Sequence, residues 1–240
     1  MKKIVSIIIC LLIFCNFTSA QNTYVVAIGI ANYPNVNQLV LPGKDANAVS
    51  EFYKEFTPNV ITLTGKYATK VAIIKALKDQ FSRATENDAV VFFFSGHGFE
   101  GGLCPYDIKP GDQNTGLWYE EVQEIFYNCK AKRKIVFADA CFAGGLTGWY
   151  AKTSPKDLEL LLFLASRYNE TSMELPFMTN GVFTTYLLRG LRGNADENND
   201  GTITAKELFS YVSRGAIYKT NDRQHPVMWG KFNDNMILNK

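Results

Sequence analysis

A histidine and a cysteine lie in matching surroundings and could act together as base and nucleophile. His97 follows the apolar run 89–94, Cys141 follows the apolar run 135–138, and glycines lie close to both residues. A thiol beside a base becomes a potent nucleophile near neutral pH, and the histidine can then protonate a departing amine. The backbone N–H groups of Gly98 and Cys141 are expected to hold the oxyanion that forms when a thiolate attacks a carbonyl.

Each of these two residues also has an ordinary structural interpretation. A single cysteine is more often a buried thiol, and a single histidine is more often a hydrogen-bonded core or surface group. A zinc site is disfavoured because zinc takes three or four protein ligands, and no further His or Cys is suitably spaced. The occurrence of His97 and Cys141 directly after two predicted strands favours a catalytic pair.

Alternating apolar runs and helical patterns form the scaffold that must position this pair. The apolar runs occupy 24–30, 60–63, 89–94, 135–138 and 158–165. The helical patterns place apolar residues at Val49, Phe52 and Phe56 and at Val71, Ile74, Leu77 and Phe81, and 117–126 is a third candidate helix. Short runs rich in Val, Ile and Phe are typical of parallel strands covered on both faces. This order predicts one open, doubly wound α/β sheet, whose carboxyl edge collects the residues that follow the strands.

Residues 1–20 have the three-part layout of a secretory signal peptide. Lys2 and Lys3 precede an apolar stretch that ends at Phe14, and small or polar residues lead from there to Ala20. The stretch is too short for the ~20 residues that a membrane-spanning helix needs. We therefore expect cleavage after Ala20 and export to the periplasm or the extracellular space, with no membrane span in the mature chain.

The composition favours one globular domain over 21–240. Of the 240 residues, 47% are hydrophobic and 20% are charged, which excludes a disordered chain. Without the signal peptide the basic and acidic residues balance, so no overall charge favours nucleic acid or an anionic membrane as a partner. The cysteines that remain are Cys104, Cys129 and Cys141, too few for a disulfide scaffold, and a pairing of Cys104 with Cys129 stays open.

A second motif spans 196–207 and has the complete spacing of an EF-hand calcium loop. Counting Asp196 as position one, Gly201 falls at position six and Glu207 at position twelve. The candidate calcium ligands are Asp196, Asn198, Asp200, Thr202, Thr204 and Glu207. Helices are expected on both sides of the loop, over 182–191 and 205–218. Calcium is therefore the expected cofactor, although the dyad chemistry requires none, and a polar loop that shares the spacing by chance is the alternative.

The two motifs around the dyad resemble those of a known family. Ser95-Gly-His97-Gly followed by Asp139-Ala-Cys141 is similar to the dyad of caspase-like cysteine peptidases of clan CD, in their bacterial, metacaspase-related branch. Caspases themselves have a glutamine at the position of Asp139. Four further segments resemble the family, namely 27–33, 43–46, 164–170 and 180–185. The resemblance therefore covers nearly all of 21–240.

This resemblance implies a caspase-like fold. Such a fold has a six-stranded, mostly parallel sheet sandwiched between helices, with the last strand antiparallel to the others. The segment 224–230 is the candidate for that last strand. His225, which lies within it, is then expected to have an ordinary structural role.

The resemblance also implies a specificity pocket. Metacaspase-like peptidases use acids at the positions of Asp45 and Asp139, with Ser95 as a neutral neighbour. Two carboxylates in one pocket would select an Arg or Lys side chain, because a buried charge must be paired. The alternative is that Asp45 caps its helix and Asp139 ends its strand.

The residues and the resemblance together predict an exported cysteine endopeptidase that cleaves peptides or proteins after Arg or Lys. Self-processing is expected at Lys152 or Lys156, within the unpatterned stretch 142–157, provided that these lysines can reach the thiol. Two alternatives remain: a calcium-binding interaction protein of the same fold without useful peptidase activity, and a transpeptidase that uses the same dyad. The oligomeric state stays open.

Overall fold

The computed structural model describes residues 21–140, 159–167 and 172–239. Its strands are β1 (Thr23–Gly29), β2 (Val60–Thr64), β3 (Ala89–Gly96), β4 (Gly98–Phe99), β5 (Gly102–Leu103), β6 (Leu117–Trp118), β7 (Arg133–Ala140), β8 (Glu159–Leu164), β9 (Ile203–Thr204), β10 (Val227–Lys231) and β11 (Ile237–Asn239). Among the described residues, six strands form one sheet in the order β10-β8-β7-β3-β1-β2. Neighbouring strands are parallel except β10, which is antiparallel to β8. The predicted sheet and its antiparallel last strand are confirmed.

Helices cover both faces of this sheet. They are α1 (Pro42–Lys54), α2 (Lys70–Phe81), α3 (Tyr119–Asn128), α4 (Val182–Arg189) and α5 (Ala205–Lys219). On one face, α2 and α3 contribute Leu77 and Phe126 to a buried core. On the other face, α1, α4 and α5 contribute Phe52, Phe183 and Leu208 to a second core. The sandwich of helices around the sheet is therefore as expected.

Strand β3 explains why the central runs of the sequence are continuously apolar. Val90, Phe92 and Phe94 enter the core beneath α2 and α3, whereas Val91 and Phe93 enter the core on the opposite face. All five side chains are at most 1% exposed. Because both faces of the strand are covered, neither alternate set of positions is polar, and each such side chain contributes about 1.5–3 kcal/mol when buried.

Some helical predictions are wrong in detail. Phe56 lies beyond the end of α1 and is 56% exposed. Val71 is 74% exposed on α2. An α-helix has 3.6 residues per turn, so when Ile73 and Leu77 face the core, Val71 points outward. The third helix begins two residues later than predicted, since Leu117–Trp118 pairs with β5 as strand β6.

The remaining predictions concern the buried cysteines, His225 and membrane-spanning helices. No disulfide joins Cys104 and Cys129, both of which are buried. The last strand begins at Val227 and not at residue 224, so His225 lies before it, with Nε2 at 3.0 Å from the carboxylate of Asp222. None of the helices in the described ranges is long and apolar enough to cross a membrane. The predicted signal peptide, 1–20, lies outside the described residues.

Candidate active site

The carboxyl edge of the sheet aligns the two segments that carry the predicted dyad. Strands β3 and β7 are parallel neighbours, and their register pairs Gly96 with Ala140. His97 is the residue after Gly96, and Cys141 is the residue after Ala140. Outside the described residues lie Cys141, Lys152 and Lys156. The described part of the site comprises His97 with its surroundings and strand β7 as far as Ala140.

The His97 side chain is held in one tautomer by a backbone carbonyl. Its Nε2 lies 2.7 Å from the carbonyl oxygen of Asn37, in the loop after β1. A carbonyl oxygen only accepts hydrogen bonds, so Nε2 must carry the proton that is donated to it. In the neutral imidazole, Nδ1 then has the free lone pair. This arrangement leaves Nδ1 available to accept a proton, and Asn37 is a partner that the sequence analysis did not find.

Tyr33 fixes the backbone around His97. The Tyr33 hydroxyl accepts a hydrogen bond from the His97 N–H at 3.0 Å and donates one to the Cys104 carbonyl at 3.0 Å. The Tyr33 and His97 rings also contact each other, with centroids 5.1 Å apart. A Cβ at Gly96 would lie 2.5 Å from the Tyr33 hydroxyl, so only glycine permits this approach. Burial raises the pKa of Tyr33, which keeps the hydroxyl protonated as a donor.

A small second sheet holds the chain that follows His97. Strands β4, β5 and β6 pair in that order and are antiparallel. The Cys104 N–H donates to the His97 carbonyl at 2.9 Å and closes the hairpin back onto the site. Gly98 begins β4 directly after His97. Its predicted role in holding an oxyanion, together with Cys141, stays a prediction.

The structure brings together the three residues of the predicted specificity pocket. The Ser95 hydroxyl donates to Asp45 Oδ2 at 2.9 Å, and the register of β3 and β7 pairs Ser95 with Asp139. A Cβ at Gly181 would lie 2.7 Å from Asp139 Oδ2 and 3.2 Å from Asp45 Oδ2, so both carboxylates face the same point. Asp45 and Asp139 are only 1% and 5% exposed. They form a buried acidic pair at the same edge of the sheet as His97, because Ser95, two residues before His97, contacts Asp45 and lies beside Asp139 of β7.

Burial and mutual repulsion perturb this acidic pair. Burial first, and the neighbouring Asp139 carboxylate second, raise the pKa of Asp45 to about 7. Burial likewise raises the pKa of Asp139. Two adjacent carboxylates that would both ionise in water therefore tend to retain a proton between them near neutral pH. A bound cation would remove this repulsion and favour the doubly ionised state.

Residues of the segment 172–184 donate hydrogen bonds to the carboxylates of the acidic pair. The Asn180 side-chain amide and the Gly181 N–H each donate to Asp45 Oδ1 at 2.9 Å. Asp139 accepts from the Ser172 hydroxyl and from Thr184, whose Oγ1 lies at 2.7 Å. The sequence analysis did not find these partners.

Asp45 does not cap its own helix. Helix α1 begins at Pro42 without a side-chain cap, and the N–H groups of the two residues before it are satisfied by a residue far along the chain. The Glu174 carboxylate accepts from the N–H groups of Val40 and Leu41, the latter at 2.7 Å. The capping interpretation of Asp45 is therefore wrong, and its carboxylate is directed toward Ser95 and the 172–184 segment instead.

The EF-hand-like loop connects α4 and α5 and has the turn that the motif predicts. Gly201 has a φ of +81°, a conformation that glycine adopts without strain. Asp196 accepts hydrogen bonds from the N–H groups of Asp200 (3.1 Å) and Gly201 (2.9 Å). Ile203, in the middle of the loop, is buried in the core and belongs to β9, which pairs with β11. The loop is thus anchored to the domain on both sides.

The acidic side chains of this loop are engaged with the loop itself. The Glu207 carboxylate accepts from the Thr204 N–H at 3.0 Å and forms a capping box at the start of α5. Hydrogen bonds from Thr202 lower the pKa of Asp200. Over the described ranges, no group of three or more His, Cys, Asp or Glu side chains lies close enough together to hold a metal ion. The oxygen donors suit calcium by type, and calcium binding stays a prediction.

Comparisons with known proteins agree with this architecture. The family model described as the caspase domain matches residues 22–236. The crystal structure of protein GSU0716 from Geobacter sulfurreducens superposes with a TM-score of 0.67 at 18% sequence identity, covering 88% of this chain and 94% of that chain. At this identity the likeness shows the fold alone. No match was found among the curated proteins.

The chain belongs to the caspase-domain family, whose model spans nearly all of its length. This is a family of cysteine peptidases of clan CD, so the family relationship implies hydrolase activity toward peptide bonds in general and protein substrates. The expected placement in the bacterial, metacaspase-related branch fits the acidic pair.

Proposed function

We propose that this protein is an exported cysteine endopeptidase that cleaves peptide bonds after Arg or Lys. The observation that carries the proposal is the buried pair Asp45 and Asp139, which lies at the same sheet edge as His97. A family member with an acidic rather than a basic pocket should select cationic side chains, because a buried carboxylate gains most from a paired cation. Export through residues 1–20 is part of the proposal.

In the proposed mechanism, His97 Nδ1 takes the proton from the Cys141 thiol. The thiolate attacks the carbonyl carbon, a C–S bond forms, and the N–H groups of Gly98 and Cys141 hold the oxyanion. His97 gives its proton to the departing amine as the C–N bond breaks, which leaves a thioester. A water molecule, deprotonated by His97, then attacks the thioester and releases the acid product and the thiol. The Asn37 carbonyl stabilises the imidazolium form through Nε2.

A peptide library tests this proposal most broadly. The wild-type protein is incubated with and without calcium, and the cleaved peptides are sequenced by mass spectrometry, with Cys141→Ala as the control. We expect Arg or Lys directly before the cut in the wild type and no cleavage by the variant. Cleavage mainly after Asp or apolar residues would contradict the assigned pocket.

The substrate affinity should depend on pH through Asp45. The pKa of this carboxyl is raised to about 7, so it is ionised above that pH and protonated below it. The carboxylate form binds a cation, so KM for an Arg peptide should rise by up to about tenfold per pH unit below about pH 7. Steady-state kinetics between about pH 6 and pH 8 measure this. In Asp45→Asn, KM should be higher and nearly independent of pH. A wild-type KM that stays constant with pH would contradict the assignment.

We also propose that calcium binds the 196–207 loop and stabilises the fold. Its hard cationic charge would be neutralised by the carboxylates of Asp196, Asp200 and Glu207. At a hundredfold excess over the dissociation constant, a ligand that binds only the folded state adds about 2.7 kcal/mol to the free energy of unfolding. Calorimetry should therefore show a higher Tm in calcium for the wild type.

The matched variants for this test remove acidic side chains either from the 196–207 loop or from helix α1. Asp196→Ala combined with Glu207→Ala should abolish the calcium-dependent shift, whereas Glu51→Ala, an exposed acid on α1, should retain it. Each variant is compared with itself in the absence of calcium, because Glu207 also caps α5. An equal shift in all three proteins would show that calcium acts elsewhere.

Self-processing forms the last part of the proposal. The stretch 142–157 is rich in small residues and carries Lys152 and Lys156, the residue type that the acidic pair should accept. Intact-mass measurements after incubation with calcium should show new termini after one of these lysines in the wild type. Cys141→Ala should stay intact, and so should the double variant Lys152→Ala, Lys156→Ala. A wild type that is active and uncut would contradict self-processing.

A further inference from the structure

An apolar cavity of about 380 Å³, lined by residues that neighbour or hold the His97 segment, is not used by the proposed chemistry. Its walls include Val36, Phe99, Ile108 and Trp118, together with Cys104. A cavity of this size and character can bury one large apolar side chain of a ligand.

The walls of this cavity are directly connected to His97. The Cys104 N–H donates to the His97 carbonyl at 2.9 Å. Val36 precedes Asn37, whose carbonyl lies 2.7 Å from His97 Nε2. Phe99 is two residues beyond His97 in the chain. A ligand in the cavity would therefore contact residues that adjoin or hold the segment of the proposed general base.

The aromatic wall of the cavity is rigidly packed. The Phe99 and Trp118 rings meet edge to face, with centroids 5.1 Å apart. A Cβ at Gly102 or Gly116 would lie 2.3 Å or 2.6 Å from the Phe99 ring, so these glycines let the chain pack closely against it. The Trp118 indole N–H donates to the Gln113 carbonyl at 2.8 Å. The cavity is thus formed before any ligand arrives, which lowers the entropic cost of binding.

The cavity and the acidic pair lie on opposite faces of the sheet. Cys104 and Ile108 belong to the core beneath α2 and α3, and Phe99 packs against that core. Asp45 lies on α1, which covers the other face together with α4. His97 follows β3 at the edge that separates these two faces. A substrate that places one side chain at Asp45 and continues past His97 would reach the cavity next.

We propose that this cavity binds an apolar side chain of the substrate on the C-terminal side of the cleaved bond. This inference rests on the proposed peptidase function. The general acid must lie next to the departing amine, and that amine belongs to the residue after the cut. Because the cavity walls include Cys104, which donates to the His97 carbonyl, and the neighbour of Asn37, we assign the cavity to the leaving-group side and the acidic pair to the basic side chain before the cut. The enzyme then recognises a basic residue followed within two positions by an apolar one.

Internally quenched peptides test this inference. The peptides share one Arg before the cut and carry Leu, Phe, Ser or Asp at the first or the second position after it. Leu or Phe at one of these positions should raise kcat/KM about ten- to hundredfold over Ser, the scale expected for burying one such side chain. In Val36→Asp this preference should collapse. Val71→Asp places the same substitution on an exposed residue of α2 and should retain the preference.

A binding measurement separates this inference from the proposed function. Cys141→Ala is titrated with fluorescent peptides that correspond to the product after the cut and carry Leu or Ser at the first or at the second position. At one of these positions Leu should bind about tenfold or more tightly than Ser, and Val36→Asp in the same background should remove the difference. Cleavage after Arg at equal rates for all peptides, with equal binding, would overturn the cavity assignment and leave the proposed function intact. Absence of any cleavage after Arg, with Leu and Ser peptides bound equally, would overturn both.

Discussion

Cys141→Ala is expected to lower kcat/KM for peptide cleavage by at least about ten-thousandfold while the thermal unfolding of the protein stays nearly unchanged. The substitution removes the proposed nucleophile, and the methyl group that replaces the thiol cannot form the thioester. His97→Ala should be nearly as damaging, because the thiol then loses its base and the amine loses its acid. Both variants are assayed with an Arg-containing peptide and compared with the wild type by calorimetry.

Cys129→Ala is the matched control for the loss of a thiol. Cys129 is a buried cysteine whose Sγ lies 3.4 Å from the Phe81 carbonyl, in the core beneath α2 and α3. Its substitution should lower stability modestly and leave peptide cleavage intact. Cleavage by Cys141→Ala and His97→Ala at the wild-type rate would contradict a Cys/His peptidase.

The second large effect is expected for substrate charge. Peptides with Arg or Lys before the cut should be cleaved several orders of magnitude faster than matched peptides with Asp there. An uncompensated buried charge costs roughly 3–5 kcal/mol, and an Asp side chain against Asp45 and Asp139 adds repulsion to that cost. Asp139→Asn should lower kcat/KM for the Arg peptide by about a hundredfold or more and narrow the difference between the two peptides.

Asp88→Asn is the matched control for the loss of a buried carboxylate. Asp88 is 2% exposed and precedes β3, so it lies at the opposite edge of the sheet from His97. Its carboxylate accepts hydrogen bonds from Thr85 and from the Asn22 N–H. The variant should lose stability and keep the preference for Arg. Equal losses of preference in Asp88→Asn and Asp139→Asn would indicate a general effect on folding rather than a pocket.

The sheet could be predicted from the sequence because its signal is local. Continuous apolar runs such as β3 arise when both faces of a strand are buried. This pattern is the same whichever strands lie next to it in the sheet. The buried face of α2 was harder to predict, since Val71 and Ile73 are equally apolar and point in different directions. Tertiary packing, not side-chain type, decides which of the two enters the core.

The candidate site was predictable only in part, for a related reason. Their positions directly after two predicted strands indicated His97 and Cys141, and resemblance to the family indicated the acidic pair, because these residues lie within short motifs. The hydrogen bonds of Asn180 with Asp45 and of His97 with Tyr33 join residues that are far apart in the chain. The local sequence around these residues does not predict the hydrogen bonds, because they form only when several distant segments come together in the fold.

Covalent labelling tests the central claim most directly. The protein is treated with two peptide probes that carry the same thiol-reactive group and differ only in Arg or Asp next to it, and the labelled residue is located by mass spectrometry. We expect one adduct per chain, on Cys141, from the Arg probe and almost none from the Asp probe, with labelling abolished in His97→Ala. Labelling at Cys104 or Cys129, or equal labelling of Cys141 by both probes, would contradict the account.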